Sequence, residues 1–202
     1  TAFLKYKEMK DKYDYMQGFN VNSNHDIAKT IAVFSAFTEG LQLFASFAIL
    51  LNFPRQNKMK GMGQIVTWSV RDETLHCNSM IRLFKEFINE NPEIWTDEFK
   101  EDLRATMAEG IRLEKAFIRD CLPVAAVGLN MVEFEQYIDY ISDRRLVNCH
   151  LEPLAGGNVE NPFPWLSEAI DLKKEQNFFE GKVTEYQKAS ALEDSGYTDD
   201  DL

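Results

Sequence analysis

The sequence predicts an all-α fold, a single helical domain followed by a polar C-terminal tail. The first observation is that the 202 residues include only six prolines and ten glycines, which are unevenly spread and leave long uninterrupted stretches. The second is that 45% of the residues are apolar, enough for one sizeable core in a chain of this length. The third is that helix caps and breakers bound four helix-length segments.

The first predicted helix is the most apolar, from about Ile27 to Phe53. Asn24 and Asp26 are its candidate N-caps, and Pro54 is expected to close it. About 20 apolar residues can also span a membrane, but a charged residue lies mid-segment and no second such segment follows, which favours a helix buried in a soluble bundle. The other three helices are predicted at about residues 63–89, 96–121 and 131–148.

The C-terminal end has a different composition. Residues 152–164 are rich in proline and glycine and are predicted to form a loop. The chain becomes polar from Asn177, carries no positive charge after Lys188, and ends in an acidic run. We therefore divide it into a helical domain, residues 1–176, and a flexible acidic tail, residues 177–202.

Charge and cysteine content exclude several classes of function. The net charge of −11 excludes a protein that binds the phosphate backbone of nucleic acids. The three cysteines show no CxxC spacing, so neither a disulfide framework nor a zinc site is indicated, and reduced thiols favour a cytoplasmic location. The N-terminal residues do not have the pattern of a signal peptide.

Glu39 is the first candidate for chemistry. It is the only charged residue between Thr30 and Pro54, and an unpaired carboxylate in an apolar interior costs on the order of several kcal/mol. Such a glutamate either hydrogen-bonds across a helix interface, reaches solvent, or binds a metal ion. Its neighbours on the helix are mostly small: Ala32, Ser35, Ala36, Gln42, Leu43 and Ser46.

Glu73 and His76 form the second candidate. Residues three apart share one helix face, so the two side chains can converge on one point. Val66 and Val70 lie near the same face, which is therefore expected to be buried. One bare glutamate and one Glu-x-x-His together make half the ligand set of a di-iron or di-manganese carboxylate bundle. His25 and His150 are interpreted as structural.

Five longer runs are distinctive: residues 38–47 (TEGLQLFASF), 58–65 (KMKGMGQI), 70–76 (VRDETLH), 161–166 (NPFPWL) and 177–186 (NFFEGKVTEY). They resemble the small, radical-generating subunit of class I ribonucleotide reductase, a ferritin-like dimetal-carboxylate family. The order of the runs agrees with the second metal-binding half of that subunit and its C-terminal region, from about His25 to the end.

The resemblance implies a partial ferritin-like helical bundle and a role for each matching residue. Glu39, Glu73 and His76 would be ligands of the second ion of a dinuclear centre (Fe/Fe or Mn/Fe, with Mn/Mn as a further option). Asp72 would link that centre to the radical-transfer path, and we expect it to be partly buried. Tyr186 would relay the oxidising equivalent to the large catalytic subunit, which the acidic tail would bind. Leu43 and Phe47 would shape the pocket beside the metals.

In the family, an Asp and another Glu-x-x-His bind the first metal ion. The sequence before Glu39 contains neither this ligand set nor the family's radical-bearing tyrosine. We therefore expect the N-terminal half of the subunit to come from a separate chain, with the assembly further dimerised. Two copies of this chain, offering four Glu and two His, are the alternative.

The implied function is to supply half of a dimetal site that generates a radical or high-potential oxidant for reduction of ribonucleotides to deoxyribonucleotides. Two other readings remain open. One is a ferritin-like oxidase acting on a small organic substrate, and the other is a non-catalytic docking subunit with an empty half-site.

Overall fold

Every regular element in the described part of the chain is helical. The computed structural model describes residues 5–122 and 128–171, and the all-α prediction is confirmed for them. A 3-10 turn at Pro92–Ile94 joins two of the helices. The helices are α1 Lys7–Gln17, α2 Asn24–Ala32, α3 Leu43–Arg55, α4 Lys60–Glu90, α5 Asp97–Cys121, α6 Met131–Asn148 and α7 Pro164–Asp171, and a π-helical segment, Val33–Gln42, joins α2 to α3.

The stretch Asn24–Arg55, made of α2, the π segment and α3, is the central rod of the bundle. It packs against α4, α5 and α6. Among the described residues it is also the one helical stretch that is long and apolar enough to cross a membrane. More than half of its most apolar window is buried within the fold, as expected for a core helix.

The core consists of two hydrophobic clusters along this rod. The larger surrounds the π segment and α3 and includes Phe37, Leu41 and Phe134. The smaller lies where α2, α4 and α5 meet and includes Phe84 and Phe99. The two clusters therefore occupy different lengths of the rod, and α4, α5 and α6 contribute side chains to both.

The predicted helix bounds are nearly correct, and the errors have local causes. The N-cap of α2 is Ser23, whose hydroxyl accepts the Asp26 N–H at 3.1 Å, rather than Asn24 or Asp26. Pro54 lies inside the last turn of α3 because its missing N–H removes only one bond near the helix end. The fourth helix begins and ends where predicted. The short helices α1 and α7 were not predicted.

The segment after α6 is irregular, as predicted, but one buried side chain orders it. Both oxygens of Asp143 accept backbone N–H groups: Oδ1 from Leu154 and Ala155 at 2.9 Å, and Oδ2 from Gly157 at 2.8 Å. Asp143 itself is 5% exposed. This carboxylate folds the loop back onto α6 and so sets the path of the chain towards α7.

The predicted tail, residues 177–202, and Tyr186 within it lie outside the described residues. The division into a helical domain and a tail therefore stays a prediction.

Candidate metal centre

The π segment carries Glu39. The backbone N–H of Leu43 donates to the carbonyl of Thr38, five residues earlier, instead of four as in an α-helix. Such widened turns occur frequently at functional sites. Sequence periodicity did not reveal this segment, because one extra residue per turn over ten residues does not interrupt an apolar pattern.

The Glu39 carboxylate lies in a partly buried, electrostatically strained position. Its Oε2 atom is buried and has no hydrogen-bond partner among the described residues. Burial raises the pKa of Glu39 above its ordinary value; the neighbouring Glu73 carboxylate raises it further, and His76 lowers it in part. The structure thus brings all three predicted ligands within electrostatic range of one another.

Glu73 and His76 approach each other on α4. Glu73 Oε2 and His76 Nδ1 are 3.5 Å apart, as the i, i+3 spacing predicts. The prediction of a buried face is wrong in part: Val66 and Val70 are buried, but the His76 side chain is 57% exposed. The imidazole lies at the rim of the packed layer, where the described part of the chain provides no element to cover it.

The three side chains do not form a complete site. Within residues 5–122 and 128–171, no three His, Cys, Asp or Glu side chains lie close enough together to hold a metal ion. The residues nevertheless fit one side of a carboxylate-rich centre, because two carboxylates and one imidazole suit iron or manganese better than copper or zinc. The buried Glu39 oxygen without a partner is the atom that a cation would satisfy.

Asp72 is exposed, and the expectation of partial burial is wrong. That expectation relied on the apolar neighbours Ile65, Trp68 and Leu75; Trp68 is partly buried, but Ile65 and Leu75 are themselves 58% and 66% exposed. Apolar neighbours bury a carboxylate only when another element packs over them. On this face of α4 the described chain has none.

Leu43 and Phe47 both belong to the core of the rod. Phe47 is buried and meets Phe44 edge to face, with 5.9 Å between ring centroids. Leu43 is partly buried and packs against the same cluster. The structure therefore places both near the Glu39 segment, while their role beside a metal pair stays a prediction.

Sequence reasoning missed Arg145. Its Nε–H donates to the carbonyl of Gly40, the residue after Glu39, at 2.9 Å. The two residues are 105 positions apart in the chain, and no motif around Arg145 indicated the contact. The His25 ring lies 4.6 Å from that of Phe99, and the interpretation of His25 as structural stays a prediction.

A family model described as "Ribonucleotide reductase, small chain" matches residues 1–162. The ribonucleoside-diphosphate reductase subunit beta of Chlamydia pneumoniae is 41% identical over 177 residues, covering 86% of this chain and 51% of that protein. A probable small subunit of Invertebrate iridescent virus 3 is 40% identical over 211 residues, covering 95% and 56% respectively. The chain thus spans about half the length of these relatives.

Two solved structures share the fold. The ribonucleotide reductase R2 subunit from Clostridium botulinum aligns with a TM-score of 0.78 at 25% identity, covering 84% of this chain and 55% of that one. A putative class I ribonucleotide reductase from Bacillus halodurans aligns with a TM-score of 0.77, covering 83% and 61%. The predicted ferritin-like helical bundle is thereby confirmed, whereas its completion by another chain stays a prediction.

Proposed function

This chain belongs to the ribonucleotide reductase small chain family, and we propose that it supplies one side of a dimetal site that generates the oxidant for ribonucleotide reduction. The observation that carries the proposal is the Glu39 carboxylate. Its Oε2 atom is buried and lacks a hydrogen-bond partner among the described residues, and the carboxylate lies within electrostatic range of Glu73 and His76. A bound cation would offset both the burial and the repulsion between the two carboxylates.

In this proposal Glu39, Glu73 and His76 hold one ion of an iron or manganese pair. When bound, the pair supplies the oxidising equivalent. The chain's own residues orient and protect it: the π segment directs Glu39 towards α4, and the 3.5 Å contact between Glu73 and His76 keeps both donors on one face. Leu43 and Phe47 exclude water from the side formed by α3.

The remaining ligands would come from an element that packs over α4. Support comes from the apolar residues that α4 exposes, including Ile65 and Leu75, which lie beside the exposed His76 and Asp72. Isolated exposed apolar residues are common, but a row of them next to candidate ligands favours a covered face. We propose a separate chain as the source, with a second copy of this chain as the alternative outcome of the test.

The first test is native purification, with mass spectrometry of any co-purifying chain and metal analysis of the complex. We expect a second polypeptide carrying a Glu-x-x-His helix and about two metal ions per pair of chains. His76→Ala should lower the metal content by at least half, because an exposed imidazole contributes little to the core but one full ligand to the site. His25→Ala, which removes an exposed histidine on α2, is the matched control.

Equal metal content in His76→Ala and His25→Ala would exclude His76 as a ligand. A metal-loaded homodimer would favour the symmetric site over a separate chain. A metal-free chain without a partner would contradict the enzymatic proposal and favour the docking-subunit reading. Oxidation of a small substrate by the loaded complex without any large subunit would favour the oxidase.

We further propose that Asp72 and Tyr186 carry the oxidising equivalent to a large catalytic subunit, and that the acidic tail binds that subunit. The exposed position of Asp72, one residue before Glu73 on α4, supports a path that leaves the site along the face of α4 over which the second element would pack. Tyr186 and the tail are proposed on their sequence match to the family alone.

Tyr186→Phe is expected to abolish turnover while leaving metal content and large-subunit affinity unchanged, because phenylalanine keeps the ring but cannot lose a hydroxyl hydrogen. Tyr197→Phe, in the same tail, is the matched control and should retain full activity. Removing residues 177–202 should abolish binding to the large subunit in a pull-down or by calorimetry. Turnover by Tyr186→Phe at the level of Tyr197→Phe would exclude the relay role.

A further inference from the structure

We infer that Arg145 is a positioning residue for Glu39, acting through the backbone carbonyl of Gly40. This inference rests on the proposed function of Glu39 as a metal ligand. It adds a residue from α6, outside every motif that carries the family resemblance, to the set that determines the geometry of the site.

The helix type changes next to Glu39. The Leu43 N–H bonds five residues back, to Thr38, while α3, beginning at Leu43, has the usual four-residue spacing. Gly40 lies between Thr38 and Leu43 in this widened turn, and its carbonyl accepts the Arg145 Nε–H at 2.9 Å.

Arg145 is itself held in place by an aromatic ring. Its guanidinium lies over the ring of Phe44, 5.1 Å from the centroid, in the first turn of α3. Among the described residues it forms no ion pair with a carboxylate. A charged donor makes a stronger hydrogen bond to a helix carbonyl than a neutral donor does, which favours one backbone arrangement over another.

The absence of a side chain at Gly40 makes room for this contact. A Cβ added at Gly40 would lie 2.7 Å from Arg145 Nε and 3.0 Å from Cys77 Sγ. Cys77 directly follows His76, so Gly40 lies close both to Arg145 and to the helix that carries Glu73 and His76. Only glycine lets α6 and α4 approach the π segment this closely.

Core packing alone does not explain the contact between Arg145 and Gly40. Arg145 lines a solvent-open cavity of about 330 Å³ between α4, α6 and α7. Arg144, the preceding residue, lines the same cavity but donates to the hydroxyl of Tyr140, and it forms no hydrogen bond with the π segment in the described structure. The pair thus offers a positioning residue and a matched neighbour of equal charge.

The experiment compares Arg145→Ala with Arg144→Ala in the full chain, purified with any partner that it retains. Hydrogen–deuterium exchange of the peptide covering residues 36–47 is measured first, without metal. We expect at least tenfold faster exchange there in Arg145→Ala, with other core peptides close to wild type, and no change in Arg144→Ala. Mn²⁺ affinity is then expected to fall about 10- to 100-fold in Arg145→Ala alone, as when outer-shell partners of metal ligands are lost.

Gly40→Ala gives a second variant that leaves Arg145 present but displaces its side chain. It should reproduce the local exchange of Arg145→Ala, and the double variant should be no worse than Gly40→Ala alone, because that substitution already removes the contact. The Mn²⁺ electron paramagnetic resonance signal should change in both variants, whereas a general loss of stability would leave its line shape unchanged.

Wild-type exchange at residues 36–47 in Arg145→Ala would overturn the inference, as would a uniform increase across the whole chain. Additive effects of the two substitutions would also overturn it. If the wild-type protein binds no Mn²⁺, the proposed function fails, whereas the exchange measurement still tests the contact between Arg145 and the π segment.

Discussion

Glu39→Gln is expected to remove Mn²⁺ binding from the complex and, at the same time, to stabilise the metal-free protein at neutral pH. The loss of a direct ligand should lower metal affinity by more than the roughly 10- to 100-fold that the loss of an outer-shell partner costs. The gain in stability follows from the unpartnered carboxylate oxygen in the interior, which a neutral amide replaces at nearly the same volume.

The direction of this change in stability can be derived from its dependence on pH. Burial and the Glu73 carboxylate raise the folded-state pKa of Glu39 above its ordinary value, so the folded protein binds this proton more tightly than the unfolded chain does. Metal-free wild-type protein therefore keeps its full stability below the ordinary pKa and loses part of it as the pH rises through the raised pKa. Glu39→Gln should lack this loss.

Denaturant unfolding of the metal-free protein between pH 4 and pH 8 measures the effect, and calorimetric titration with Mn²⁺ measures the affinity. Glu86→Gln is the matched control: it removes the same charge from an exposed position on α4 and should change neither quantity. Parallel pH profiles for wild type and Glu39→Gln would contradict the burial argument. Unchanged Mn²⁺ affinity in Glu39→Gln would contradict the assignment of Glu39 as a ligand.

Asp143→Ala is expected to produce the largest loss of stability, about 3–4 kcal/mol. Each hydrogen bond to a charged acceptor contributes about 1.5–3 kcal/mol, and this carboxylate accepts three backbone N–H groups. Part of that loss is recovered because the released loop backbone can bond to water. For a chain of this size, a loss of 3–4 kcal/mol corresponds to a fall in Tm of roughly 10 °C.

Thermal unfolding followed by circular dichroism measures the change, and Asp139→Ala is the control one turn earlier on α6. Asp139 pairs with Lys115 at 2.6 Å, but its side chain is 30% exposed, and such pairs contribute about 0–1 kcal/mol. Limited proteolysis should cut Asp143→Ala first within residues 151–160. Equal Tm values for the two variants would show that the loop does not depend on Asp143.

The features that depend on neighbouring residues were predicted from the sequence, whereas those that depend on distant residues were not. Helix-length apolar patterns, caps and breakers predicted α3 to α6 with errors of a few residues, because these signals act between neighbours in the chain. The i, i+3 spacing likewise placed Glu73 and His76 together on α4. The short helices α1 and α7 escaped prediction, because brief elements rely mainly on what they pack against.

The sequence by itself determined the helical class and the family, and it predicted which two carboxylates and which imidazole would bind a metal ion. Only the tertiary structure decided that Asp72 is exposed, that Asp143 holds the loop after α6, and that Arg145 reaches the carbonyl beside Glu39. The physical reason is the range of the interactions. Helical spacing relates residues three or four apart, whereas burial and the contact across 105 residues exist only once the helices have packed.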